Sequence, residues 1–397
     1  MLGMKVFMRA IGTVSRGIRA PIIRQGDNLV DIVATSVVNA ANENGFSLND
    51  RDVVGVTESI LARSQGNYAS LEQIAEDVRS KFPTGVCALT HPILSRNRFS
   101  QILKGIAMGV DELYLVLSYP SDEVGNPLIS WEMLDEKNVN PYIDVFTEDE
   151  FKSLFGTVVH PFTGVDYIDY YKKLTDGKAK IILANDPREA LKYTKNVITA
   201  DIHTRVRSKK RLYAAGAEKV VGLDEILSES VNGSGFHPLY GLLGSNLATD
   251  TTVKLFPRDA QPFVEATQAR IRELCGKTVE VMVYGDGAFK DPVGGIWELA
   301  DPIVSPGFTA GLNGTPNELK LKYLADNELD GKSDADAAIK EMIKKKQDNM
   351  INNMASQGTT PRRLTDLLGS LCDLTSGSGD KGTPIILIQG YFDTYAD

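Results

Sequence analysis

The sequence predicts a mixed α/β protein of two lobes, and three observations lead there. At 397 residues the chain exceeds one typical domain, so two lobes, or one domain with a large insert, are expected. From Phe82 to about Ile226, helix-type and strand-type segments alternate, the pattern of an α/β lobe with some parallel pairing. Short apolar strand-type runs stand near both ends of the chain, at Asp52 to Thr57 and at Ile385 to Gln389.

The elements follow in order. Val6 to Ile11 reads as an opening strand and Arg16 to Pro21 as a loop. A helix is expected from Asp27, whose short carboxylate suits an N-cap. Asp52 to Thr57 is a buried-type strand running into polar Glu58 and Ser59. Ser70 to Lys81 is helical, because Leu71, Ile74, Ala75 and Val78 recur on one face. The middle region gives a helix at Phe99 to Met108, strands at Leu113 to Ser118 and Ile181 to Ala184, and a helix at Pro187 to Lys195. Asn232 to Gly235 is a loop where the chain returns to the first lobe. The final part gives a helix at Arg258 to Leu274 and an alternating strand at Val279 to Tyr284. A charged helical stretch at Asp334 to Met354, a helix at Arg362 to Leu374 and the strand at Ile385 to Gln389 complete it.

Composition excludes several classes. Hydrophobic residues make up 42% and charged residues 24%, which supports a large core and carries no signature of disorder. The net charge of −9 argues against generic nucleic-acid binding, which needs a basic face. Cys87, Cys275 and Cys372 are far apart, with no CxxC spacing, and read as reduced buried thiols. No apolar run approaches the roughly 20 residues of a membrane span, and the first residues lack a signal-peptide core. The expected location is the cytoplasm.

Several segments carry chemistry. Tyr284 to Pro292 places Asp286 and Asp291 among glycines after a strand. That arrangement suits Mg²⁺ or Mn²⁺ bridging phosphate oxygens, or else an ordinary turn with solvated aspartates. The loop of Ser376, Gly377, Ser378, Gly379, Asp380, Lys381 and Gly382 offers backbone N–H groups to phosphates, with Lys381 as a point charge. It lacks P-loop spacing, and taken alone such a loop is more often a surface turn. Asn185 to Arg188 reads as a ligand loop or as a helix start with Pro187 in the first turn. Arg96 and Arg98, at the start of a helix, are placed to meet an anionic ligand, or else form surface ion pairs. His91, His160, His203 and His237 are scattered and without metal-ligand spacing, so they read as structural. Neither a GxSxG elbow nor a GxGxxG turn after the first strand occurs.

Taken together and in order, these segments resemble the coenzyme F420 γ-glutamyl ligase family. Ile22 to Leu29 is similar to the family's GDDL-type opening, and Arg51 to Gly66 to its strand and SKAEG-like loop, with Arg63 in the lysine's place. Gly241 to Asn246 resembles the GIDxSN element; Asn246 matches, while Leu243 stands where the family has a metal-binding aspartate. Phe256 to Asp259 is similar to the LPxDP element, and Asp286 to Pro292 to the DTFGRP loop, with Lys290 in place of the arginine. Thr365 to Asp373 and Ser376 to Pro384 resemble the closing helix and MGQxxEGxP loop, with Ser378 in place of glutamine.

The resemblance implies an α+β ligase-like core carrying an inserted α/β lobe. Residues 1–81 and 227–397 would form the core, 82–226 the insert, and about 306–356 a helical insertion. It implies amide formation between L-glutamate and a carboxylate acceptor of F420-0 type, driven by GTP or ATP through an acyl phosphate. A folate-type or other acceptor, or a nucleotide-binding protein without turnover, are the alternatives. The implied metal ligands for Mg²⁺ or Mn²⁺ are Asp286, Asp250 and Asp373. Glu58, Ser59, Arg63, Asn246, Ser376, Gly377, Ser378, Gly379, Lys381 and Gly382 would contact nucleotide. Asp286 and Lys290 would serve catalysis, with Arg96 and Arg98 toward the acceptor. A homodimer is implied; nucleic acid and membrane partners are not.

Overall fold

The computed structural model describes residues 11–161, 163–287, 300–328, 335–346, 353–356, 362–376 and 380–396. They form a mixed α/β structure around three sheets.

The first sheet has five strands in the order Val14–Ile18, Ile385–Gln389, Val53–Thr57, Glu280–Tyr284, Gly307–Phe308. Only Val53–Thr57 and Glu280–Tyr284 run parallel; the other neighbours are antiparallel. Helices cover both faces. Val54, Val56, Val281, Val283, Ile385 and Leu387 pack with residues of the helices Leu29–Asn44 and Ala260–Cys275. Val53, Met282, Tyr284, Ile386 and Ile388 pack with Leu364, Leu368 and Cys372, spaced one turn apart on the helix Leu364–Ser376. Double coverage explains why Glu280–Tyr284 is buried throughout, although the sequence there reads as a strand of alternating character.

Gly55 decides how closely the last helix approaches. A Cβ there would stand 2.3 Å from the Cys372 sulfur and 3.3 Å from the Tyr284 ring. Gly55→Ala is therefore expected to push the helix outward and destabilise the protein by about 1–3 kcal/mol, the usual cost of overpacking. Urea unfolding checks this, and an unchanged midpoint would contradict it.

The second sheet has six strands, in the order Phe146–Thr147, Ala179–Leu183, Glu112–Leu117, Val86–Thr90, Asn196–Thr199, Lys219–Gly222. All pairs are parallel except the edge strand Phe146–Thr147. Its core joins Ile74 and Val78 of the helix Leu71–Lys81 to Leu103 and Ile106 of the helix Ser100–Met108. The helix Leu71–Lys81 starts as expected, at a capping box in which Ser70 and Gln73 bond reciprocally. A third, three-stranded antiparallel sheet pairs the hairpin Asn246–Thr249 and Thr252–Lys254 with Tyr68–Ser70.

Several sequence expectations are corrected. The first described strand is Val14–Ile18, which overlaps the start of the expected loop Arg16 to Pro21, because it pairs with Ile385–Gln389 at the far end of the chain. Of the expected strand Val6 to Ile11, residues up to 10 lie outside the described residues, and Ile11 is exposed non-strand backbone. Asn28, not Asp27, caps the helix Leu29–Asn44; the Asp27 carboxylate instead accepts from the Arg24 amide at 2.6 Å. Pro187–Lys192 is a short 3₁₀ helix. The charged stretch contains the helix Ala335–Lys344 and a 3₁₀ turn, Met354–Ser356. Among the described residues, no helix is long and apolar enough to cross a membrane.

Candidate active site

Strand directions bring four chain segments to one edge of the five-stranded sheet. Thr57 lies opposite Tyr284 in the parallel pair, so Glu58 and Asp286 both emerge from neighbouring C-terminal strand ends. Ile385 lies opposite Val56 and Ile18, so the segments before Ile385 and after Ile18 reach the same edge. There they bound a cavity of about 510 Å³.

Glu58, Ser59, Arg63 and Asp286 line this cavity together with Asp373, Ser376 and Gly382. Residues 63 and 373, far apart in sequence, thus face one space. Asp373 gets there because the helix Leu364–Ser376 packs closely over Gly55. Its carboxylate accepts from the Gly287 amide at 3.4 Å. The Thr57 hydroxyl donates to the Glu58 carboxylate at 2.9 Å, and the Thr383 hydroxyl donates to the Ser376 carbonyl at 2.6 Å.

Arg98 organises the charges behind the cavity. Its guanidinium donates to both Asp286 and Asp301. Side-chain exposure is 16% for Arg98, 17% for Asp286 and 1% for Asp301, so this is an internal bridge, unlike a surface pair. Asp301 also accepts from the Asp286 amide at 2.9 Å, which pins the loop after Tyr284. Arg98 arrives from the six-stranded sheet's side, through the segment between Thr90 and Ser100. The same segment holds the hairpin, because the Asn97 carbonyl accepts from the Leu247 amide at 2.7 Å.

The electrostatics are those of a carboxylate-rich interior. Burial pushes the Glu58 carboxyl above its usual range, with Arg98 and Lys254 pulling it down and Asp286 adding to the rise. Burial holds Asp301 well up despite Arg98 beside it, and raises Asp373, to which Asp286 contributes. Burial works against the Arg98 charge, and Asp301 and Asp286 more than offset it. Lys254 is lowered by burial and donates to the Ser59 hydroxyl.

The remaining expected residues lie elsewhere. Asn246 stands opposite Lys254 in the hairpin, and Asp250 sits exposed at its turn, outside the cavity lining. Leu243 is buried in the apolar cluster beneath the six-stranded sheet. Arg96 is exposed, close enough to His160 to lower its pKa after burial, and so diverges from Arg98. Lys381 is exposed and lines a different cleft. Lys290, Gly377, Ser378 and Gly379 lie outside the described residues. Two charged groups escaped the sequence reading, Lys254 and Asp301. A lysine between core residues Val253 and Leu255 was the available signal for the first; Asp301 offered none.

Fold and site together define a mixed α/β protein with charged groups of both signs gathered at one sheet edge, equipment for binding polar, charged ligands. The chain belongs to the F420-0:Gamma-glutamyl ligase family, whose family model matches residues 17–390. That span runs through the middle region as well as both ends, and membership places the chain among glutamate ligases. No curated protein matches it significantly.

Proposed function

We propose that the chain joins the amine of L-glutamate to a small carboxylate acceptor of F420-0 type, using GTP or ATP with Mg²⁺ or Mn²⁺. The observation that carries this reading is the convergence of Glu58, Ser59, Arg63, Asp286, Asp373 and Ser376 on one cavity. Among the described residues no three histidine, cysteine or carboxylate side chains form a metal cluster by themselves. Asp286 and Asp373 nevertheless fit Mg²⁺, which is commonly held by one or two carboxylates plus substrate phosphates and water. When bound, the ion supplies neutralising charge to the phosphoryl oxygens.

The protein's own groups do the rest. Arg63 faces the cavity to meet phosphate oxygens, and the Arg98–Asp301 bridge holds Asp286 in place. The acceptor carboxylate oxygen bonds to the γ-phosphorus as the bond to the nucleoside diphosphate breaks, leaving an acyl phosphate. The glutamate amine then attacks the acyl carbon and phosphate departs. Glu58 takes the proton released by the amine, since its raised pKa brings it nearer neutrality than an ordinary carboxylate.

Glu58→Gln is accordingly expected to lower turnover by about 10²–10⁴-fold. It should also remove an acidic limb of the pH–rate profile, along which activity rises with pH above the ordinary carboxylate range. The linkage has the opposite sign for folding. Native Glu58 keeps a proton that the unfolded chain gives up, so its contribution to stability falls as pH rises through that window. A wild-type profile retained by the glutamine variant would remove Glu58 from the proton transfer.

A second reading, a nucleotide-binding protein without ligase turnover, is favoured by one observation. Leu243 fills an apolar cluster where the resembled element carries an aspartate. Glutamate-dependent phosphate release from GTP or ATP, with candidate acceptors present, separates the two readings.

A further inference from the structure

Next to the candidate cavity stands a lysine with no ion-pair partner among the described residues. Lys254 ends the strand Thr252–Lys254, the middle strand of the three-stranded sheet, opposite Tyr68 on one side and Asn246 on the other. Its neighbours Val253 and Leu255 are buried in the core, so the backbone there is well anchored. The Lys254 ammonium donates to the Ser59 hydroxyl, and Ser59 lines the cavity. Among the described residues that is the side chain's one hydrogen bond.

The direction of that bond decides what Ser59 can do. An ammonium has three donors and no acceptor, so the Ser59 oxygen accepts and its own proton is left for another partner. Among the described residues the hydroxyl donates to nothing. Ser59 and Arg63 both line the cavity, four residues apart and thus neighbours on one face of the helix Glu58–Ser64. A hydroxyl donor and a guanidinium one turn apart suit an anionic group with several oxygens, such as a phosphoryl group. Burial lowers the Lys254 pKa; Glu58 and Asp301 oppose the fall, while Arg98 and Arg63 add to it. An anion bound between Ser59 and Arg63 would offset those two cations.

We propose that Lys254 is a positioning residue for anion recognition: it holds the Ser59 oxygen so that the Ser59 hydroxyl donates to a phosphoryl oxygen of the nucleotide. This assignment rests on the reading of the cavity as a nucleotide site. Lys254 is not among the cavity-lining residues and acts through Ser59. Its charge polarises the hydroxyl and strengthens the bond that Ser59 makes to the anion. Loss of the Lys254 proton reverses the arrangement. The neutral amine then accepts from Ser59, and the hydroxyl proton turns away from the ligand.

A double-mutant cycle on nucleotide affinity tests this. GTP and ATP with Mg²⁺ are titrated calorimetrically into the full-length wild type, Ser59→Ala, Lys254→Met and the double variant. Each single substitution is expected to weaken binding about tenfold. The double variant should bind within about threefold of Ser59→Ala, because Lys254 has no route to the ligand except through that hydroxyl. Losses that multiply, or wild-type affinity in Lys254→Met, would each overturn the proposal. Lys254→Arg supplies a readout that packing alone does not move. Arginine keeps a donor and never gives up its charge, so the variant should hold its nucleotide affinity at alkaline pH, where the wild type weakens as the lysine loses its proton. Glu58, Asp301 and Tyr68 are common to both proteins, and Arg63 and Arg98 stay charged, so the difference between the profiles belongs to Lys254. Identical profiles would overturn the assignment. Run with tripolyphosphate, the same cycle still judges the Lys254–Ser59 pair in a protein that binds neither nucleotide, a result that removes the nucleotide reading alone.

Discussion

Replacing Arg98 with alanine is expected to destabilise the protein by about 3–5 kcal/mol and to abolish measurable turnover. The loss is large because of what remains. Asp286 and Asp301 would keep their place behind the cavity with no cation between them, and Asp301 is almost wholly buried. Uncompensated interior carboxylates either take up protons or force the structure open. Arg98→Lys is the informative partner, since one ammonium cannot donate in a fixed fork to two carboxylates. It should recover part of the stability and little of the activity. Denaturant unfolding and phosphate release, measured on both variants, check this. An alanine variant as stable and active as the wild type would mean that the bridge has no part in holding the Asp286 loop.

Asp286→Asn is the second large effect. The asparagine keeps the size of the side chain and removes the charge that would hold a divalent cation. Turnover is expected to fall about 10²-fold or more. Arg98 keeps Asp301, so unfolding free energy should drop by only about 1–3 kcal/mol. That combination distinguishes a site residue from a packing residue. The contrast with Arg98→Ala, which loses stability and activity together, separates the group facing the cavity from the group positioning it.

Much of the candidate cavity was legible in the sequence because its parts sit at strand ends with local signatures. Val53–Thr57 announces itself by continuous apolar residues followed by Glu58 and Ser59, and Glu280–Tyr284 by the glycine and aspartate after it. The capping box at Ser70 marks a helix start within four residues of sequence. Where the determining contact is distant, the sequence is silent. Val14–Ile18 is a strand only because Ile385–Gln389 lies alongside it, and no local alternation records that partner. Asn28 and Asp27 are both good capping residues, and the chain path at Arg24 settles which one caps.

The charges behind the site show the same division. Arg98 was visible as a cation at a helix start, but its carboxylate partners lie 188 and 203 residues away. A sequence reading can therefore assign it to an acceptor as readily as to an internal bridge. Asp301 stands between Ala300 and Pro302 with no glycine or periodic context, and its burial follows from tertiary packing alone. Lys254 takes its lowered pKa from burial on a three-residue strand, which composition cannot reveal.

The central claim is that one cavity binds a nucleoside triphosphate through metal held by Asp286 and Asp373. Its most direct test is calorimetric titration of GTP and ATP into the wild type and the Asp286→Asn variant, each with Mg²⁺ and with excess EDTA. The account predicts tight binding of one nucleotide to the wild type with Mg²⁺, weakened at least about tenfold, or about 1.4 kcal/mol, by EDTA and by the substitution. Equal affinity in all four conditions would contradict it.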